Sequence, residues 1–285
     1  MPVERIAGVD DPRVDAYRDV PDPELVRARG LFIAEGRLVV RRVIEHAGYR
    51  VQSVLVNDAA RRDLAPLLEP IAGTTPIYLC DAGDFQRITG YNIHRGCLAL
   101  VARPAALSLA SLLATARTLV VLEGISNADN VGGIFRNAAA FGADGVLLSP
   151  TCCDPFYRKA IRTSMGAVLT VPFARCEEWP GALSQVRAAG FTIVALTPRE
   201  PSESLDVLAH GNRSARMALV TGTEGAGLTA AVEAAADHRV RIPISSGVDS
   251  LNVAVAVGIA LYALRAPDSR ATFDRGGLRD SARRR

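Results

Sequence analysis

A chain of 285 residues, 49% hydrophobic and 22% charged, has a globular composition of one or two domains and excludes a fibrous or low-complexity protein. Its five cysteines and four histidines show no CxxC, HxxxH or HExxH spacing, which excludes a sequence-legible zinc centre and a secreted disulfide framework. The net charge of +3 comes from the last 19 residues, which hold six arginines and three aspartates, so charge alone says little about a nucleic-acid partner.

The opening MPVERIAGVDDPRV has no apolar core of signal-peptide length. Residues 1–104 read as a small α/β unit. In LFIAEGRLVVRRVIEHAG, Leu38, Val39, Val43 and Ile44 fall on a helix closed by Gly48. The strand VQSVLVN follows, then a helix-like stretch around AARRDLAPLLEP, the short strand PIYLC, a turn-rich segment and the strand GCLALVA. Residues 105–117 serve as a linker or first helix. Over 118–266 the strands TLVVLEG, GVLLS, FTIVALT, MALVTG and HRVRIPI alternate with helices. That pattern predicts a mostly parallel sheet covered on both faces. The longest apolar run, 251–264, is too short to cross a bilayer and reads as a buried helix. Residues 267–285 are basic and aperiodic, and disorder is expected there. A cytoplasmic address follows as the expectation.

In doubly wound sheets, ligands sit beyond the carboxyl ends of the strands. Three loops there stand out. After VVLEG comes DNVGGIFRNAAAFG, whose apolar face is Val131, Ile134, Phe135, Ala138 and Ala139. Its other face carries Gly132, Gly133, Arg136, Asn137 and Ala140, although two glycines in a first turn cost about 1 kcal/mol each relative to alanine. The second loop, GTEGAGLT, approaches the phosphate-loop pattern but has Leu228 where lysine belongs, which argues against a triphosphatase. Its glycines permit tight geometry; Glu224 is left over, a carboxylate suited to an ammonium or guanidinium. The third, IPISSGVDSLNVAVAVGIALYAL, has Ser250 or Asp249 as the natural helix cap and leaves Asn252 unexplained. No GxGxxG follows an early strand, so dinucleotide binding is not indicated.

Together NVGGIFRNAAAFG, VTGTEGAGL and IPISSGVDSLNVAVA resemble motifs one, two and three of the SpoU/TrmH group of SPOUT RNA 2′-O-ribose methyltransferases, in order and spacing through 118–265. RKAIRTSMGAVLTVPF resembles the intervening segment, and EGRLVVRRVIEHAG and HRGCLALVARP resemble the amino-terminal substrate domain. The resemblance implies a SPOUT-type α/β fold over 118–266, with a carboxy-terminal trefoil knot. Before it, at 1–104, it implies a ribosomal-protein-like α/β domain that binds RNA. It further implies a homodimer, an RNA substrate (ribosomal RNA before tRNA), no metal and no membrane. S-adenosyl-L-methionine is the implied cofactor, held at Thr197, Gly222, Ile242 and Leu251. The implied catalytic set is Asn130, Arg136, Glu224, Ser250 and Asn252. Thr223 stands where many members have asparagine.

For methyl transfer to a ribose hydroxyl, Arg136 is expected to act as a cation on phosphate and on the developing oxyanion, because guanidinium stays protonated. Gly132, Gly133 and Ala140 would let ribose and phosphate approach beneath it. Asn130 and Asn252 would orient the reacting groups, and Glu224 would fix the guanidinium or touch substrate. Arg158, Lys159 and Arg162, at i, i+1 and i+4, read as a phosphate-tracking patch or a solvated helix face. A non-catalytic RNA-binding protein of the same fold is the alternative.

Overall fold

The computed structural model describes residues 3–18, 21–89, 96–211, 214–245, 247 and 250–265; the aperiodic segment from 267 onward lies outside them. Near the amino terminus run β1 (Glu4–Arg5), β2 (Leu31–Glu35), α1 (Arg37–Glu45), β3 (Arg50–Val56), α2 (Asp58–Ile71), β4 (Ile77–Leu79), α3 (Ala82–Thr89) and β5 (Cys97–Ala102). The strands form one sheet in the order β1-β4-β3-β5-β2, with β5 antiparallel to both neighbours and the other pairs parallel. The α1 stretch differs from expectation. Its buried face is Val39, Val40 and Val43, while Leu38 is exposed. The helix ends at Glu45 with His46 as cap, ahead of Gly48, and LFIAE before it is strand β2.

Residues 105–117 contain a true helix, α4 (Leu109–Thr115), capped by Ser108. Then come β6 (Thr118–Leu122), α5 (Ala128–Phe141), β7 (Gly145–Leu148), α6 (Arg158–Thr163), β8 (Phe173–Arg175), α7 (Ala182–Ala188) and β9 (Thr192–Leu196). The series closes with β10 (Glu203–Ser204), α8 (Leu205–His210), β11 (Met217–Thr221), α9 (Ala230–Ala234), β12 (His238–Arg241) and α10 (Val253–Leu264). Their strands build a second sheet, β10-β12-β9-β11-β6-β7-β8, with every pair parallel. All five expected strands are present. The edge strands β8 and β10 escaped the sequence reading because three and two residues are too few to show alternation.

Strand alternation sends successive side chains to opposite faces. Val120, Leu122, Val146, Leu148, Val194 and Leu219 pack with α5, α6 and α10. Leu119, Val121, Leu147, Ile193, Ala218 and Val220 pack with α4, α7 and α9. The first cluster also takes in Phe32, Ala34, Val54 and Val56 of the amino-terminal sheet, so the two sheets share one core. Phe32 stacks on Phe156 with ring centroids 4.7 Å apart, Arg42 donates to the Met165 carbonyl at 2.8 Å, and Tyr49 donates to the Leu169 carbonyl at 3.0 Å. The α6 region is therefore the seat of the amino-terminal sheet.

At Gly132 and Gly133 the thinned face of α5 has a packing cause, which overturns their reading as an approach for ribose and phosphate; Ala140, the third residue of that reading, is exposed. A Cβ on Gly132 would lie 2.6 Å from the Ala160 carbonyl oxygen and 2.9 Å from Thr163 Cβ; on Gly133 it would lie 2.8 Å from Ala254 Cβ. Helices α6 and α10 fill that space. Gly258 of α10 does the converse, lying against the Asn137 amide. Ala139, expected on the buried face, is exposed. Gly132→Ala should therefore destabilise the protein by roughly 1–3 kcal/mol through overpacking, outweighing the gain of about 1 kcal/mol in helix propensity. Urea denaturation reads the difference, and a variant as stable as the parent would contradict the packing account.

Candidate active site

In a parallel sheet all strands end on one edge, so the loops after β6, β9, β11 and β12 meet there. Between the last three lies a cavity of about 280 Å³. Thr197, Gly222, Ile242 and Leu251, the four positions expected to hold a cofactor, all line it, together with Glu224 and Ser250. Leu196, Ile242, Ile244, Leu251 and Val253 give it apolar walls, and the 222–228 backbone gives a polar one.

That loop folds back on itself. A Cβ on Gly222 would lie 2.3 Å from both the carbonyl carbon and oxygen of Gly227, which has φ +68°. The Gly227 amide donates to the Thr223 carbonyl at 3.0 Å. These contacts, and not a phosphate ligand, require glycine at 222 and 227. Arg199 ties the loop from outside. Its guanidinium donates to the Leu228 carbonyl at 2.9 Å and to that of Ala226, and lies 3.5 Å from Glu233. The Thr197 hydroxyl donates to Glu233 at 3.0 Å and accepts from the Arg199 amide, so it is committed to the same cluster. Sequence reading missed Arg199, because TPRE carries no signal beyond one more arginine among many.

Three residues from three distant segments join at Asn252. Its Nδ2 donates to Asn130 Oδ1 at 2.9 Å and to Glu224 Oε1 at 2.8 Å. Its Oδ1 accepts from the amides of Ala254 and Val255 at 3.0 and 3.3 Å. Asn252 is thus the cap of α10, not Ser250 or Asp249; Asp249 lies outside the described residues. The geometry fixes the amide orientation, since a reversed group would set its NH₂ against two backbone N–H donors. Asn130 is buried. Ser250 is exposed at the cavity two residues upstream and forms no hydrogen bond to the trio.

Arg136 stands apart. It is exposed and has no hydrogen-bond or ion-pair partner among the described residues. Six residues beyond Asn130, it lies about 120° around the helix from it. Glu224 bonds Asn252 rather than this guanidinium. The three expected RNA contacts sit on α6 and touch the protein itself. Lys159 Nζ is 2.7 Å from Asp129 Oδ2, and its hydrogen bond holds that carboxyl below the usual range, helped by the Thr163 hydroxyl. Arg162 lies 3.9 Å from Glu35 of β2. The Arg158 amide donates to Asp22 at 2.9 Å, and its guanidinium to the Tyr17 carbonyl at 3.4 Å. Among the described residues no cluster is placed to hold a metal ion, and no helix is long and apolar enough to cross a membrane.

Comparison with known proteins agrees with this architecture. Residues 117–262 match the model of the SpoU rRNA Methylase family. A Mycobacterium tuberculosis protein named as an uncharacterized tRNA/rRNA methyltransferase is 41% identical over 267 residues, 92% of this chain and 91% of its own. The Bacillus subtilis 23S rRNA (guanosine(2553)-2′-O)-methyltransferase RlmP is 28% identical over 236 residues, 82% of this chain and 88% of its own. In fold, the AdoMet-bound rRNA methyltransferase from Sinorhizobium meliloti aligns with a TM-score of 0.76 at 24% identity, over 92% of this chain and 97% of that one. The second and third loop motifs line one cavity, and the first is joined to them through Asn130 and Asn252. With a family model covering half the chain and 41% identity to a relative along 92% of its length, the chain belongs to the SpoU rRNA methylase family.

Proposed function

We infer that this protein transfers a methyl group from S-adenosyl-L-methionine to a ribose 2′-hydroxyl of ribosomal RNA. One observation carries the reading: the cavity lined by Thr197, Gly222, Ile242 and Leu251 also borders Glu224, the carboxylate end of the Asn130–Asn252–Glu224 network. The cavity suits the cofactor, with Leu196, Ile242 and Leu251 as apolar surface for a purine and loop backbone for its polar edges. When bound, the cofactor supplies an electrophilic methyl group on a sulfonium, a good leaving group. The chain's own residues then have the harder task of activating a weakly acidic hydroxyl. Asn130 and Asn252 orient it, and Glu224 fixes Asn252. Arg136 holds the adjacent phosphate and stabilises charge developing on the 2′ oxygen. The proton passes to a phosphate oxygen or to water, since guanidinium does not serve as base. Ser250 is assigned to the rim of the same site.

The amino-terminal sheet supports RNA recognition, and we read residues 1–104 as a ribosomal-protein-like domain and 118–266 as the methyltransferase domain. The carboxy-terminal segment is read as threading a trefoil knot. Lys159 and Arg162, both half exposed, would exchange their carboxylate partners for phosphates, with Arg158 alongside. The ribosomal choice rests on this domain and on the name of the Bacillus relative. Mapping ribose methylation in total RNA from a deletion strain tests it. Loss of a methyl from rRNA is expected; loss from tRNA alone would overturn the choice. Absence of S-adenosylhomocysteine binding would instead favour a non-catalytic RNA-binding protein.

The homodimer is proposed from α10. Val255, Ile259 and Tyr262, at i, i+4 and i+7, are exposed on one face of an otherwise apolar helix. A second copy covering that stripe would remove it from water. Ile259→Asp should convert a dimer to monomer in light scattering at micromolar concentration. A parent protein already monomeric there, and active, would remove the claim.

A further inference from the structure

Glu123 is a buried carboxylate, 7% exposed, that the mechanism above does not use. It stands immediately after β6. Its Oε1 accepts from Trp179 Nε1 and from Thr229 Oγ1, each at 2.8 Å, and its Oε2 accepts from the Thr229 amide at 2.8 Å. Burying a charge is unfavourable unless donors surround it, and here three donors come from two other segments. Thr229 is the last residue of the 222–229 loop and the cap of α9.

We propose that Glu123 is a positioning residue of the methyl-donor site, acting through Thr229 on the glycine loop; this rests on the methyl-donor reading of the cavity. The physical connection is short. Fixing Thr229 fixes the adjoining Gly227–Leu228 arm. That arm lies against Gly222 so closely that not even a methyl group fits between them. Gly222 lines the cavity, and Glu224 at the loop's turn is the partner of Asn252. The same strand exit meets the loop again at Thr223, whose Cγ2 is 3.2 Å from where a Cβ on Gly124 would sit. A carboxylate behind the loop thus sets the wall in front of it.

The Thr229 hydroxyl is the probe. Thr229→Val keeps the shape but removes both the donor to Glu123 and the acceptor of the Val232 amide. Thr229→Ser keeps both, and the Glu123→Gln background isolates the donor. S-adenosylhomocysteine affinity is measured by calorimetry well below each melting temperature, so that a purely structural role leaves it unchanged. Thr229→Val should weaken binding about tenfold, the equivalent of one charge-assisted hydrogen bond, and Thr229→Ser by no more than about twofold. Glu123→Gln, which sets an amide NH₂ against a donor, should weaken binding similarly, and Thr229→Val should add little in that background. Emission of the single tryptophan, Trp179, should shift in Glu123→Gln and not in Thr229→Val. If Thr229→Val does not fold, Glu123→Gln alone decides. Equal binding by folded variants and parent overturns this inference only, as does a serine variant as weak as the valine one. No binding by the parent overturns the methyl-donor reading and this inference with it.

Discussion

Arg136→Ala is expected to lower turnover by about 10²–10³, the loss typical of removing one donor to a developing oxyanion. It should leave the fold and S-adenosylhomocysteine affinity where they are. The side chain is exposed and unpartnered among the described residues, so truncation breaks no hydrogen bond or ion pair among them. Surface substitutions of that kind shift stability by no more than about 0.5 kcal/mol. The cavity proposed for the cofactor is built from the loops after β9, β11 and β12, and Arg136 is not among the residues that line it. Any loss of rate therefore reports on substrate. Arg136→Lys keeps the positive charge and discards the planar fork that grips phosphate at two points, and it should remain largely inactive. Full activity in the alanine variant would end the catalytic assignment, whereas full activity in the lysine variant alone would reduce the arginine's part to its charge.

Asn252→Asp should also lower turnover, by about 10²-fold, the scale of a small misplacement of a catalytic group, with α10 still capped. Aspartate caps a helix as well as asparagine does, so the amides of Ala254 and Val255 keep their acceptor. What changes is the other end of the group. A donor to Asn130 and Glu224 becomes a second carboxylate oxygen facing Glu224 Oε1, where the native separation is 2.8 Å. Two carboxylates that close cannot both ionise cheaply, and one of the pair is pushed upward in pKa. The folded variant then binds a proton more tightly than its unfolded chain. Its stability relative to the parent is accordingly lost as pH rises through that raised value and regained below it. Turnover should follow the same direction, recovering in part as the pH falls and one shared proton restores a hydrogen bond. Turnover equal to the parent across the pH range would show that the Asn252 amide protons do not matter to the reaction.

The parallel sheet is legible in the chain's own pattern of residues. β-branched runs such as TLVV and FTIVAL between helices admit little else, and parallel strands put their loops on one edge. Glu224 and Asn252 stand out in their loops as polar residues without an evident packing role, and Asn130 comes from the resemblance to the family motifs. Only the packed chain shows which partners those residues take. A glycine announces that something lies close without saying what, and only the approach of α6 and α10 shows that Gly132 and Gly133 admit helices and not ribose. Serine, aspartate and asparagine cap helices almost equally, so Asn252 could be told from its neighbours only by the partners its amide finds at Asn130 and Glu224. Glu123 and Arg199 were invisible for a related reason. Their contacts run to Thr229, Trp179, Ala226 and Leu228, from 27 to 106 residues away along the chain, and a buried hydrogen bond at that separation leaves no periodicity behind.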